Sequence, residues 1–211
     1  MEGPIASWYA KNTAKDMKRH QGLAQKLAKQ LPAGSRVLEI APGPGYFSIE
    51  LAKLGSFKIT GLDISKSFVQ IARQNAAAAG VQVDFRLGNA SQMPFDEDSF
   101  DLMVCQAAFK NFSQPVQAIA EMYRVLSPNG TALIIDLRRD ASQEEIDREV
   151  NGMGISAFNR FLVKWSFRGM LLKRAYTQQE MADFVAQTPF RTCEIELEGI
   201  GFTVRMKKPG I

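Results

Sequence analysis

The stretch Val37-Leu-Glu-Ile-Ala-Pro-Gly-Pro-Gly-Tyr-Phe-Ser-Ile-Glu-Leu-Ala-Lys53 organises the chain. A short apolar run enters a Gly/Pro turn, and the turn enters an amphipathic pattern of Tyr46, Phe47, Ile49, Leu51 and Leu54. That is the pattern of strand, tight loop and helix. Gly43 and Gly45 have no Cβ, so a ligand can approach the loop backbone closely, and unpaired N–H groups at the following helix start favour negative charge. A nucleotide-like cofactor is the expected guest. The dinucleotide fingerprint Gly-x-Gly-x-x-Gly/Ala is not met, because the last position falls on Ser48 when counted from Gly43 and on Tyr46 when counted from Ala41.

Outward from this loop the chain alternates strand-like and helix-like segments. Residues 1–31 read as a basic helical arm, a solvated face that packs its leucines on the domain. Lys58–Asp63 reads as a second strand ending in an acid, well placed to accept from two ribose hydroxyls. Its alternative role, an N-cap, is contested by Ser65. Ser65–Ala79 reads as an Ala-rich helix closed by Gly80, and Val81–Leu87 as a third strand. A fourth strand ends at Gln106. Pro115–Leu126 is helical, Ser127-Pro-Asn-Gly130 is a turn, and Thr131–Leu137 is a fifth strand. Thr177-x-x-Glu180 is a capping box opening a helix through Ala186. Arg191–Leu197 and Phe202–Lys207 alternate as two strands close enough to form an antiparallel hairpin. The expected architecture is α/β, a Rossmann-like doubly wound seven-stranded sheet, mostly parallel, within one domain over 1–211.

At 211 residues, 45% apolar and 23% charged, the chain has an ordinary globular composition. A formal charge of +4 is too small to point to nucleic acid. No apolar run approaches the ~18 residues a membrane span needs, and no leader pattern opens the chain, so a cytoplasmic location is expected. Two cysteines without Cys-x-x-Cys spacing and a single histidine, His20, argue against a metal site.

Glu39-x-Ala41-x-Gly43-x-Gly45 resembles the first motif of the class I S-adenosylmethionine (SAM) dependent methyltransferases, with alanine where that family usually has glycine. Met93-Pro-Phe-Asp-Glu-Asp-Ser-Phe-Asp101 resembles its second motif region, with Asn89 where Asp is more frequent. Arg124-Val-Leu-Ser-Pro-Asn-Gly130 resembles its Arg-Val-Leu-Lys-Pro-Gly-Gly segment. The Phe109–Phe112 segment is faintly similar to the ubiquinone/menaquinone biosynthesis C-methyltransferases.

The resemblance implies SAM as cofactor, S-adenosylhomocysteine as product and a small-molecule acceptor. It implies that Glu39 and the backbone at Ala41, Gly43 and Gly45 hold the methionine part. Asp63 would hold the ribose, Asn89 with Ala90 the adenine, Ile64 is a further cofactor-binding residue, and Gln106 would lie near the methyl path. On residue type alone, Asn89 is equally a turn residue. Tyr9 is the arm residue implied to close the site. His20 reads as a surface residue. Tyr9, Lys110, Asp136 and Tyr176 are base candidates without geometry, and no catalytic residue is assigned.

About 140–176 interrupts the core pattern with an acidic helix over Ala141–Val150 and then a basic, aromatic-rich stretch. A cap lining the substrate pocket, a membrane-surface helix over 155–174 and a dimer contact are its three readings, and the oligomeric state is open. Two other functions compete: a short-chain dehydrogenase, which lacks any Tyr with Lys four residues later, and a non-catalytic nucleotide-binding protein.

Overall fold

The computed structural model describes residues 2–13, 17–152 and 172–210. Seven strands form one sheet in the order β3-β2-β1-β4-β5-β7-β6. They are β1 (Arg36–Ile40), β2 (Lys58–Asp63), β3 (Asp84–Leu87), β4 (Phe100–Gln106), β5 (Leu126–Leu137), β6 (Glu194–Glu198) and β7 (Gly201–Lys207). The first five run parallel, and β7 is antiparallel to both β5 and β6. The helices are α1 (Gly3–Thr13), α2 (Met17–Ala28), α3 (Tyr46–Ala52), α4 (Lys66–Ala78), α5 (Pro115–Val125), α6 (Gln143–Gly152) and α7 (Gln178–Ala186).

β1 is buried on both faces, which is why it reads as a continuous apolar run rather than an alternation. Leu38 and Ile40 join a core with Met103, Cys105, Ile119, Met122 and Ile134. Val37 faces the other way, with Phe47, Leu51, Leu102 and Val104, beneath Ala24 and Leu27 of α2. Strand order reverses between β1 and β4, so the carboxyl ends of these two strands flank the crevice where open α/β sheets hold ligands.

The expected fold, hairpin and capping box are all present; Thr177 accepts from the Glu180 N–H and Glu180 accepts from the Thr177 N–H. Several boundaries differ, each for a local reason. The third strand begins at Asp84 rather than Val81, because the Val81 N–H bonds back to the Ala76 carbonyl behind Gly80 at φ 68°. The sixth begins at Glu194 rather than Arg191, because the N–H groups of Arg191 and Thr192 close turns onto Thr188 and Phe190. The helix expected over Ala141–Val150 is Gln143–Gly152, started by reciprocal bonds between Ser142 and Glu145. The turn at 127–130 lies inside β5, where pairing with β4 shifts between Phe100 and Leu102; Asn129 takes φ 65° there. Leu54 lies beyond the end of α3 and is 45% exposed. Among the described residues, no helix is long and apolar enough to cross a membrane.

Candidate active site

The residues singled out around the loop gather along the carboxyl edge of the sheet. β1 delivers Glu39, and its register partners are Gly61 on β2 and Val104 on β4. The chain then turns through Ala41–Gly45. The Ala41 N–H bonds the Leu62 carbonyl at 2.8 Å, and the Gly45 N–H bonds the Pro42 carbonyl at 3.0 Å. Asn75 of α4 donates to the Pro44 carbonyl at 2.9 Å, which ties the loop to the neighbouring helix.

The two glycines do different work. A Cβ at Gly43 would meet nothing within 4 Å, so its backbone is open to a ligand. A Cβ at Gly45 would lie 2.6 Å from Phe85 Cζ, and one at Gly61 would lie 2.4 Å from Phe85 Cδ1. Gly45 therefore serves packing: the buried Phe85 ring nests over both glycines and clamps loop to sheet. Ala41, where the resembled family has glycine, stands at φ 55°, in the left-handed region that costs a residue with a Cβ roughly 1–2 kcal/mol.

Asp63 ends β2 and is 5% exposed. Its Oδ2 accepts the Gly43 N–H at 3.0 Å and its Oδ1 accepts the Ser65 N–H at 2.9 Å. Ser65 itself caps α4, with Oγ accepting from the Phe68 N–H. The N-cap role thus falls to Ser65, and Asp63 joins the loop to the start of α4. Burial raises the Asp63 carboxyl above the ordinary aspartate range. Ile64, next to it, is 70% exposed.

Glu39 is buried, and its Oε2 accepts both the Ser48 N–H (3.1 Å) and the Ser48 hydroxyl (2.6 Å). Gln106 Nε2 stands 3.5 Å from Glu39 Oε1. Desolvation pushes the Glu39 carboxyl up to about 8, against the opposing pull of the Ser48 bonds. The start of α3 is thus not a vacant anion site, because Glu39 already takes the Ser48 N–H. Ser48 is a site residue that the sequence marks only by a hydroxyl standing where a dinucleotide loop would carry glycine.

Asn89 behaves as a turn residue. Its Oδ1 accepts the Ser91 N–H at 3.0 Å and its carbonyl accepts the Gln92 N–H at 3.0 Å. One lone pair of the amide oxygen remains for a ligand. Ala90 beside it is half-buried against the core.

The arm reaches this edge. Glu2 accepts from the Lys66 and Ser67 N–H groups, and the Gly3 N–H donates to Ser67 Oγ at 2.9 Å. Tyr9 meets Phe68 edge-on at 5.8 Å, and the Tyr46 hydroxyl donates to the Ala10 carbonyl at 2.9 Å. Expected on the surface, His20 is instead half-buried, with its ring 6.0 Å from that of Tyr46.

Beyond β4, Lys110 Nζ donates to Asp136 Oδ1 and to the Ala107 carbonyl, both at 2.7 Å, and the Lys110 N–H donates to Asp136 Oδ2. The side chains are 10% and 2% exposed. Phe109 packs against Phe112 and Tyr176, and Tyr176 against Phe184. Burial raises the Tyr176 phenol, so it is a poor base at neutral pH. Residues 153–171, which hold most of the expected cap and of the expected membrane-surface helix, lie outside the described residues. A cavity of about 450 Å³ opens at the opposite, amino edge, lined by Leu27, Leu31, Ser35, Asp101, Thr131 and Arg205, away from every residue expected at the site.

Residues 38–134 match the model of the methyltransferase domain family. The demethylmenaquinone methyltransferase of Deinococcus radiodurans is 37% identical over 108 residues, 51% of this chain and 45% of that protein. The ubiquinone biosynthesis O-methyltransferase of Xanthomonas axonopodis is 31% identical over 113 residues, 53% of this chain and 47% of that one. The chain thus spans about half the length of these curated relatives. A crystal structure of a putative SAM-dependent methyltransferase from Methanococcus maripaludis superposes with a TM-score of 0.76 over 98% of this chain and 93% of its own, at 20% identity, a likeness of fold.

Proposed function

We propose that this chain, arm and core acting as one domain, is a SAM-dependent methyltransferase whose acceptor is a small, quinone-like aromatic molecule. The observation that carries the reading is the open backbone at Gly43, bonded to the buried Asp63 and flanked by the buried Glu39, within the matched methyltransferase domain. Two buried acids beside one open loop favour a cation, and SAM carries positive charge on both its sulfonium and its amino group. The absence of the dinucleotide fingerprint weighs against NAD on the same loop.

When bound, SAM supplies a methyl group that leaves its sulfonium by in-line displacement, so the protein's share is placement. Gly43 gives the loop backbone the close approach the methionine part needs. Asp63 would accept from the ribose hydroxyls with the lone pairs that its two backbone donors leave over. Asn89 would offer its remaining lone pair, beside Ala90, to the adenine, and the exposed Ile64 would add apolar contact to the cofactor. Gln106, 3.5 Å from Glu39, would lie near the methyl path, and Tyr9, against Phe68, would close the arm side. The names of the relatives support the acceptor class, and the aromatic cluster of Phe109, Phe112 and Tyr176 follows the carboxyl end of β4.

Titration calorimetry with SAM, S-adenosylhomocysteine, NAD and NADP tests the cofactor. The expected result is binding of the first two alone, and failure of the folded protein to bind SAM overturns the proposal. Formation of S-adenosylhomocysteine with hydroxylated naphthalene and benzene acceptors then separates an enzyme from a non-catalytic nucleotide-binding protein.

A further inference from the structure

Residues 1–31 hold six basic residues and two acids, a net of +4 that equals the formal charge of the whole chain, so residues 32–211 are neutral in sum. Lys18, Arg19, Lys26 and Lys29 are exposed, and none of them makes an ion pair or hydrogen bond among the described residues. Elsewhere the partly buried cations Arg36, Arg124, Arg138 and Lys208 are each paired with an acid. Four of the arm's cations are therefore available to an anionic partner.

On the same arm, α1 turns its large apolar side chains outward. It packs inward through Ala6 and Ala10, which are 0% and 6% exposed, while Ile5 is 62% and Trp8 67% exposed. At about 100° per residue, the Ile5–Trp8 side lies opposite the Ala6–Ala10 side. A helix that merely covers the core would bury isoleucine and tryptophan and expose alanine; this one does the reverse. Glu2 and Tyr9 fix α1 against α4, so the outward presentation is set by contacts with the core.

We propose that the arm docks on an anionic bilayer surface, with Ile5 and Trp8 entering the headgroup boundary and the unpaired cations of α2 facing acidic lipid. Exposed tryptophan and isoleucine on one helix of the arm and exposed cations on the next are the composition of an interfacial contact, in which apolar burial and attraction to anionic lipid each supply part of the affinity. The docking surface is separate from the loop at Gly43, so it stands or falls independently of the cofactor. Because α1 also borders that loop, docking brings the site within reach of an acceptor dissolved in the bilayer.

Co-sedimentation of the full chain with phosphatidylcholine vesicles containing about a quarter phosphatidylglycerol tests the proposal, against pure phosphatidylcholine vesicles and a single-stranded oligonucleotide. The expected result is roughly tenfold stronger partition onto the anionic vesicles, weakened by salt. Ile5→Ser with Trp8→Ser is expected to lower it about tenfold, and Lys18→Glu with Arg19→Glu to remove the preference for anionic lipid. Both variants are expected to bind SAM as the wild type does, which separates loss of docking from loss of fold. In a Trp165→Phe background, Trp8 emission is expected to shift to the blue on anionic vesicles. A chain that stays in the supernatant, partitions equally with Ile5 and Trp8 replaced, or holds the oligonucleotide and not the vesicles overturns the proposal.

Discussion

The Gly43 N–H donates to Asp63 Oδ2 at 3.0 Å, so the residue that opens the loop to a ligand and the acid expected to hold that ligand are bonded to each other across 20 positions of sequence. The same carboxylate takes the Ser65 N–H through its other oxygen. Asp63→Ala is expected to weaken SAM binding ten- to a hundredfold, about 1.5–3 kcal/mol, and also to lower thermal stability by releasing two backbone donors. Asp63→Asn keeps an acceptor for one of them. It is expected to keep most of the stability while losing most of the affinity, and calorimetry alongside thermal melts on both variants distinguishes the two roles.

The two loop glycines are expected to respond differently to alanine. At Gly43 the added methyl meets open space and only the φ of 54° resists it, so Gly43→Ala is expected to cost about 1 kcal/mol of stability and most of the SAM affinity. At Gly45 the φ of 80° is joined by a 2.6 Å collision with the Phe85 ring, and Gly45→Ala is expected to cost roughly 2–4 kcal/mol. Adding Phe85→Leu should return part of that loss. If Gly45→Ala proves no less stable than Gly43→Ala, Phe85 is not the clamp.

Glu39 ties function to pH. Its carboxyl titrates near 8 in the fold, chiefly through desolvation, against 4.5 in the unfolded chain. Between those values the unfolded chain binds fewer protons than the native one, so this group's contribution to stability falls as pH rises from about 5 to 8 and is flat on either side. Glu39→Gln, which keeps an acceptor for Ser48, is expected to flatten that slope and to raise stability by about 1–3 kcal/mol at pH 8. Cofactor binding is expected to show the opposite trend. Wild-type affinity for SAM should rise towards pH 8 with proton release, visible as buffer-dependent binding enthalpy, and the Gln variant should lose both effects.

How much of this was legible in the sequence depended on how local each signal was. The strand and loop at Val37–Gly45, the acid closing Lys58–Asp63 and the Thr177–Glu180 box are each complete within a few residues, and each was read correctly from them. The role of Gly45 was not, because its reason is the Phe85 ring, 40 positions away on another strand. Ser48 was read only as a missing glycine, since nothing in the chain's order says that a serine on α3 will face Glu39 on β1. Asn89 reads equally as ligand contact and turn residue. The Ser91 bond gives it a turn role without consuming its acceptor capacity, so residue type alone could not have decided.

Lys110 and Asp136 form the most buried ion pair among the described residues, and sequence offered them only as separate base candidates. Their burial makes a structural cost the first expectation. Lys110→Met leaves the Asp136 charge inside with two backbone donors, its own Lys110 N–H and that of Leu137, and should cost about 2–4 kcal/mol. Asp136→Asn leaves the ammonium with the Ala107 carbonyl and should cost a similar amount. The double variant removes both charges and keeps an amide oxygen for the backbone donors, so its loss should fall short of the sum by about 1–3 kcal/mol. Urea denaturation of the four proteins gives that difference. Additivity within about 0.5 kcal/mol would mean that the two charges do not depend on each other, and the segment after β4 would then have to be held by Phe109 and its aromatic neighbours instead.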